Sequence, residues 1–487
     1  MPNTKTKNNF KIEGTKIIAP DGGELLIKGV NVNGPGWVFE RDTLPDIELI
    51  LDVWKFNSIR LCAAIGWEFA ENNNKDLDGI IKAFTDRNII VILEVHDYTG
   101  SYPPENEGYR RSSDAYVYPM PVFKDWWTDK AKRFKDNAYV WFNIMNEPGP
   151  DDSKASAESW YKIHGEMIEA IRAAGAENII VLDEHGWGQG SGYRGGKEGY
   201  ASAVIRMGPA LNEKYGNLVY SLHVYDAWYD GKRDFDNYFS DAKNLGLCVI
   251  LGEFGVGKEN ISHHSAIRAM YNSAIPNNIG RIYWAWDDGG LPLTASGSPD
   301  ERNSGCAWEI DRTDRGKPGN LTWVGELVWL DSHGLLEAPV PDYDLPLLPN
   351  GAFKDGMTGW QNWGRSFVKD GESLGRTGNV LYVDFGGAGG AGRLIELKPG
   401  KKYRFGAWGK NSASANTAST VGIKYSSADN PGYQNHETLS FTENEWTHKS
   451  LEFAAPDAFA SASSAFIWKI DANTIFYVTD MELIAID

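Results

Sequence analysis

Residues 139–149 read Tyr-Val-Trp-Phe-Asn-Ile-Met-Asn-Glu-Pro-Gly. Tyr139 to Phe142 open an apolar run, Asn143 interrupts it, Ile144 and Met145 resume it, and Asn146-Glu147-Pro148 ends it. A short, mostly apolar run is what a strand buried on both faces looks like. The polar triplet falls where such a strand leaves its sheet, and in a parallel barrel that C-terminal edge carries the chemistry. Glu147, beside the amide of Asn146, is placed like a catalytic acid. A second stretch repeats the pattern: Leu247-Cys248-Val249-Ile250-Leu251-Gly252-Glu253-Phe254-Gly255. Its glycines let backbone and ligand come close. Two glutamates at the ends of two apolar strands suggest acid–base work on a glycosidic bond. The competing reading is a pair of solvated strand-end charges.

Working outward, eight strand candidates follow in order: 25–33, 56–63, 89–97, 140–147, 179–183, 219–225, 248–253 and 281–286. Apolar residues at helix spacing fill 44–53, 77–87, 126–134 and 156–174 between them. Asp76 and Ser156 suit helix N-caps, and Gly175 sits where a C-terminal glycine belongs. Strands alternating with helices in this way predict an α/β fold, a (β/α)8 TIM barrel. Ahead of it, 10–28 alternates around Asp21-Gly22-Gly23 as a hairpin would, placed to plug one end of the barrel.

The chain has 487 residues, more than one core usually holds, so two domains are expected. Residues 338–349 carry four prolines and read as a stiff linker or edge segment. Beyond them helical periodicity stops. Runs at 379–385, 402–410, 419–425, 447–453 and 475–486 have strand character, separated by turns rich in Gly, Ser and Asn, which predicts an all-β jelly-roll sandwich. The expected division is a catalytic barrel in 1–340, a Pro-rich linker in 341–349 and a β-sandwich in 350–487. Residues 386–392 read as a glycine-rich loop. No helix opens after it, so it is not a phosphate cradle.

A formal net charge of −18 argues against nucleic acid and anionic membranes as partners. It fits a neutral polymer and tolerates a cationic one such as chitosan. The 19 Trp and 22 Tyr exceed what a core alone would use and suit recognition of sugar rings. Cys62 and Cys248 lie in apolar runs as buried thiols. With Cys306 they make no disulfide framework and no metal-ligand spacing. No apolar run is long enough to span a bilayer. The opening Met-Pro-Asn-Thr-Lys-Thr-Lys lacks the apolar core of a signal peptide. The expectation is a secreted protein whose leader has been replaced by an initiator Met, since a polymer substrate is met outside the cell; cytoplasmic residence is the alternative.

Taken in order, the strand-end motifs resemble glycoside hydrolase family 5 across about residues 10–335. They are Gly29-Val30-Asn31, Ser58-Ile59-Arg60, Glu94-Val95-His96-Asp97, Asn146-Glu147-Pro148, His223-Val224-Tyr225, Gly252-Glu253-Phe254-Gly255 and Tyr283-Trp284-Ala285-Trp286. Within the family, residues 94–100, Gly186-Trp187-Gly188-Gln189 and 321–328 look most like bacterial endo-β-mannanases. Pro148 stands where those enzymes commonly have Trp, and Asp226 where they usually have Glu, which leaves the sugar open. The resemblance implies a retaining mechanism with Glu147 as acid and then base, Glu253 as nucleophile, and Arg60 and Tyr225 supporting Glu253. It implies substrate or carboxylate contacts from Arg60, His96 and His223, a 2-hydroxyl contact from Asn146, and sugar stacking on Trp187 and Trp284, with Trp286 as the fallback and a core role competing at both Trp284 and Trp286. Strand alternation would put Trp284 and Trp286 on one face.

The tail resembles carbohydrate-binding modules of families 4 and 22, through 350–360, 397–405 and 478–483. Trp360, Trp363, Trp408 and Trp468 are its candidate stacking residues, each competing with a core role. Such modules often hold one structural calcium. Asp480 is either one of its ligands or a plain strand-end carboxylate. No cofactor is expected for catalysis, and the protein is expected to be a monomer. The leading expectation is an endo-β-1,4-mannanase. The alternatives are a β-glucanase or chitosanase on the same scaffold, and a non-catalytic carbohydrate-binding protein.

Overall fold

Eight strands whose residues are nearly all buried close into a parallel barrel. They are β1 (Lys28–Asn33), β2 (Ser58–Ala63), β3 (Ile90–Val95), β4 (Val140–Asn143), β5 (Ile180–Asp183), β6 (Leu218–Val224), β7 (Val249–Phe254) and β8 (Gly280–Tyr283). Each pairs with the next and β8 closes on β1. Strands covered on both faces need apolar residues at every position rather than alternation, which is why these segments read as continuous runs. This computed structural model describes residues 9–33, 46–65, 77–104, 110–111, 116–193, 199–229, 234–257, 261–288, 291–294, 306–310, 318, 320–340, 347–348, 350–354, 356–384, 386–430, 434–460 and 462–486. Asp76 and most of the expected linker, 341–346 and 349, lie outside the described residues.

Helices α1 (Leu77–Thr85), α2 (Met120–Phe134), α3 (Lys154–Ala173), α4 (Ala203–Tyr215), α5 (Asp226–Tyr229), α6 (Phe235–Asn244), α7 (Ile261–Ala274) and α8 (Trp323–Ser332) occupy the connections. In α3, Trp160, Ile163, Met167 and Ile171 are buried at helical spacing. Ser153, not Ser156, caps it: the Ser153 hydroxyl accepts from the Ser156 N–H at 3.2 Å. Gly175 follows at φ +87°, a left-handed position that suits glycine. The N-terminal segment is a three-stranded meander rather than one hairpin. It is the expected plug: its Phe10 and Ile17 pack into the buried layer formed by Ile27, Trp141, Val181 and Ile250.

Several strands stop earlier than predicted, and at β4 and β8 this bears on the site. β4 ends at Asn143, so Glu147 stands beyond the ladder. β8 ends at Tyr283, so alternation says nothing about Trp284 and Trp286. Between β6 and β7 the register slips by one residue: Leu222 faces Leu251 and His223 faces Glu253, leaving Gly252 as a bulge. Only glycine fits there. A Cβ at 252 would lie 2.0 Å from the Ser221 Oγ and 3.1 Å from the His223 Nε2.

The second compact unit is a sandwich of two five-stranded antiparallel sheets. Its strands are β9 (Gln361–Trp363), β10 (Ser366–Asp370), β11 (Asn379–Val383), β12 (Gly389–Ile395), β13 (Lys402–Asn411), β14 (Ser419–Tyr425), β15 (Asn435–Phe441), β16 (Thr447–Ala454), β17 (Ser463–Lys469) and β18 (Phe476–Ile486). One sheet runs β9-β12-β17-β14-β15 and the other β10-β11-β18-β13-β16. Phe405, Val421, Ile467, Phe476 and Val478 fill the space between them. Most of the expected glycine-rich loop is strand β12, because its glycines admit the Trp363 ring: a Cβ on Gly390 would meet that ring at 2.7 Å. Among the described residues no helix is long and apolar enough to cross a membrane.

Replacing Gly252 by alanine should therefore force the β6–β7 bulge open. Overpacking of this kind costs about 1–3 kcal/mol, so Gly252→Ala is expected to lower the unfolding midpoint in denaturant, measured against the wild-type curve.

Candidate active site

Arg60, in the middle of β2, organises the C-terminal mouth of the barrel. It is about 1% exposed. Its Nε–H donates to the Asn143 Oδ1 at 2.7 Å, Nη1 to the Asn31 Oδ1 at 3.0 Å and the Glu253 Oε1 at 2.7 Å, and Nη2 to the Asn146 Oδ1 at 2.7 Å and the Asp183 Oδ2 at 2.9 Å. A guanidinium has five N–H groups, so none remains for a sugar. The expectation that Arg60 binds substrate is corrected accordingly: it positions the groups that do. Burial disfavours its charge, but Asp183, Glu94 and Glu253 outweigh that and hold the guanidinium above its usual value.

Glu253, the last residue but one of β7, has both oxygens engaged, Oε1 by Arg60 and Oε2 by the Tyr225 hydroxyl at 3.0 Å. Burial raises its carboxyl above the usual value and the charge of Glu147 adds to that, with His223 and Arg60 offsetting only part of the rise. Burial raises the Tyr225 phenol well above its usual value, so it stays a donor. Glu147 sits at φ +43°, a left-handed conformation unusual for a side-chain-bearing residue. Its carbonyl accepts from the Gly100 N–H at 2.8 Å and its own N–H points to the Asp183 Oδ2 at 3.3 Å. The turn aims its carboxylate back over the barrel axis, where Oε1 lies 2.9 Å from the His223 Nδ1. One carboxylate oxygen each from Glu147 and Glu253, with a ring nitrogen of His223, all lie within 4.8 Å of one another.

His223 is fully buried and reaches no substrate. Its Nδ1 is 3.5 Å from the Glu253 Oε2 and its Nε2 3.3 Å from the Asp183 Oδ2. Burial alone would lower its pKa, yet Glu253 and Asp183 raise it to about 10. Both Glu253 oxygens are already engaged by Arg60 and Tyr225, and the other His223 nitrogen faces Asp183, which makes this trio a poor metal site. A second buried cluster, Cys62, Glu94 and His96, has Arg60 at 3.9 Å from the Glu94 carboxylate and is no better suited.

The cleft above these groups holds about 440 Å3, within the range of small-ligand sites. Glu147, Glu253, Asn146, His96 and Tyr225 line its floor, and Trp187, Gln189, Asp226, Trp284 and Leu291 its sides. The His96 Nδ1 pairs with the Glu94 Oε1 at 2.6 Å, and its Nε2 faces the Asn146 amide at 3.1 Å. That amide also donates to the Thr99 Oγ1 at 2.8 Å, so a sugar hydroxyl at Asn146 has to displace a partner. Trp187, at φ +59°, lays its ring against Gly100, where a Cβ would come within 2.4 Å. Trp284 lines the cleft with its Nε1 donating to Asp288 at 3.0 Å. Trp286 does not: it is fully buried, and its Nε1 donates to Asp46. With β8 already ended, the two rings diverge, and the expected stacking role of Trp286 is corrected to a core one.

Sequence reading missed Asp183, Asn143, Asn31 and Glu94. Each had a signal, a polar residue set in an apolar run at or near a strand end. In the sandwich, Trp363 and Trp468 are 41% and 51% exposed, whereas Trp360 is buried and Trp408 is covered by the Arg376 guanidinium at 4.1 Å. Asp480 accepts from the Arg376 guanidinium at 2.7 Å.

Residues 18–290 match the family described as Cellulase (glycosyl hydrolase family 5), and residues 345–469 match a carbohydrate binding domain. A mannan endo-1,4-beta-mannosidase of Cellvibrio japonicus is 24% identical over 67% of this chain and 67% of its own length. Endoglucanase A of Butyrivibrio fibrisolvens is 25% identical over 52% of this chain and 53% of its own. The solved catalytic domain of a mannanase from Streptomyces sp. SirexAA-E superposes with a TM-score of 0.50 at 22% identity, covering 65% of this chain and 93% of that one, a likeness of fold. With its matched span covering more than half the sequence and both strand-end glutamates over one cleft, the chain belongs to glycosyl hydrolase family 5 and carries a C-terminal carbohydrate-binding domain.

Proposed function

We propose that the protein is a retaining endo-β-1,4-mannanase acting outside the cell on mannan or glucomannan. The observation that carries this reading is the approach of Glu147 and Glu253 to within 4.8 Å across one cleft. Retaining glycosidases hold their carboxyl groups about 5–5.5 Å apart, and inverting ones leave room for a water between them. Glu253, gripped by Arg60 and Tyr225, attacks the anomeric carbon; Glu147 gives its proton to the departing oxygen. The C–O bond breaks and a glycosyl ester forms on Glu253. Glu147, now a carboxylate, takes a proton from water, which attacks the same carbon and releases Glu253. Trp187 and Trp284 offer flat faces to the sugars on either side.

Mannan is favoured by the relatives and by the Gly186-Trp187-Gly188-Gln189 turn, whose Trp187 and Gln189 face the cleft. A β-1,4-glucan is the second reading, supported by the endoglucanase relative and by Pro148 and Asp226. The sandwich would hold the polymer on its β9-β12-β17 face. Trp363 lies opposite Gly390, and Gly390 opposite Trp468, so two exposed indoles share one face, with the Trp363 ring lying against the glycines of β12. Strand spacing sets their Cα atoms roughly 10 Å apart.

Reducing ends released from a panel of mannan, glucomannan, β-1,4-glucan, β-1,3-glucan and chitosan should be highest on mannan or glucomannan, with the β-anomer appearing first by NMR. Glu147→Gln and Glu253→Gln should each lose about 10²–10⁴-fold or more in kcat. Release from no β-glycan would leave the protein a binding protein. Separately, Trp363→Ala and Trp468→Ala should each weaken retention on insoluble mannan roughly tenfold, about 1.4 kcal/mol, with turnover of soluble oligosaccharide unchanged.

A further inference from the structure

Asp183 is fully buried at the end of β5, below the cleft and out of reach of any sugar. Its Oδ2 accepts from the Arg60 Nη2 at 2.9 Å and lies 3.3 Å from both the His223 Nε2 and the Glu147 N–H. Its Oδ1 accepts from the Asn143 amide at 2.9 Å. The contact to His223 lacks the alignment of a hydrogen bond, since the Nε2 has no partner meeting that geometry. It is an ion-pair contact. Nothing in the mechanism above needs Asp183 to touch substrate.

The groups facing His223 define what Asp183 does. Glu147 comes from the turn after β4, Asp183 from β5 and Glu253 from β7; Tyr225 and Arg60 hold Glu253. On the reading of Glu147 as the acid, the negative charge on the Nδ1 side of His223 sits on Glu253 in the resting site, with Asp183 on the Nε2 side. In the glycosyl-enzyme Glu253 is a neutral ester and Glu147 is the carboxylate. The negative charge on the Nδ1 side of His223 has then passed to Glu147, while Asp183 stays unchanged on the Nε2 side. Without the charge on Asp183 His223 loses, in both states, the one carboxylate that stays charged beside it throughout. The imidazole then gives up its proton more readily, and with it the Nδ1–H that points at Glu147.

We propose that Asp183 is a positioning residue for the proton cycle of Glu147: as the buried counter-ion of His223, it keeps that imidazole charged through both halves of the double displacement. This rests on the reading of Glu147 as acid and base. Burial opposes the charge on Asp183, but Arg60 and His223 hold its carboxyl below the usual range, so it supplies that charge at every working pH.

The test is Asp183→Asn, which keeps shape and the Arg60 contact and removes the charge. An opposite charge at this range moves a pKa by about one to three units. The basic limb of the kcat/KM profile should therefore move to lower pH by about one unit or more. The same substitution in a His223→Gln background should leave the limb where it stands. Nitrogen NMR of the full chain, with His223 assigned by its loss in His223→Gln, should find both ring nitrogens protonated at pH 8 in the wild type and an equal downward shift in Asp183→Asn. An Asp183→Asn profile lowered evenly at all pH values would overturn the proposal. So would a neutral His223 in the wild type, a result that stands even if the variant does not fold. The NMR arm needs no turnover, so failure of the hydrolase reading and failure of this one give different results.

Discussion

The Arg60 guanidinium fixes the active end of the barrel. Its five donors reach side chains from β1, β4, the turn after β4, β5 and β7, so one residue of β2 ties together half the barrel. A lysine could not do this, because an ammonium on a flexible stem has three donors and no planar fork. Burying such a charge is tolerable only when it is fully paired. Breaking any one contact leaves an uncompensated group in a buried site. The neighbouring strands therefore have to deliver Asn31, Asn143, Asp183 and Glu253 at the same depth. Asn31 extends the tie by donating to the Gly252 and Tyr283 carbonyls, which fixes the backbone just before the nucleophile and just before Trp284.

The same constraint explains the irregular backbone around the cleft. Glu253 could not face His223 in regular register, so β7 spends Gly252 on a bulge. Glu147 could not point inward from the end of β4, so four residues of turn carry it there and leave it at positive φ. Trp187 reaches the cleft from a turn whose N–H donates to Gly149, with its ring against Gly100. These departures are where side chains meet the polymer, while the strands beneath stay regular. Local strain is held by the network under it.

Much of this was legible in the chain. The eight apolar runs gave the barrel because parallel strands buried on both faces have no other way to read, and Glu147 and Glu253 stood out because charge at the end of such a run is rare. What stayed hidden was tertiary. Asp183 ended a predicted strand like Glu253 but lacked flanking glycines, and only the fold brings it against Arg60 and His223. Trp284 and Trp286 look equivalent in sequence; they separate because β8 stops at Tyr283. In the sandwich, β12 hid as a loop because its glycines answer to the indole of Trp363 across the sheet, a contact with no local signature.

Asp183 also bears on why the site needs so many charges. A nucleophile must stay ionised while an acid a few ångströms away stays neutral, and burial alone pushes both toward neutrality. Arg60 separates them by bonding Glu253 and not Glu147. His223 lies 2.9 Å from Glu147 and 3.5 Å from Glu253, so it can follow the negative charge from one to the other as the ester forms and breaks. A fixed cation does this without moving only if its own charge is secured from behind. Asp183 stands there, on the far side of the ring from both glutamates, itself anchored by Arg60. The guanidinium thus acts on the reaction along two routes, directly through Glu253 and indirectly through Asp183 and His223.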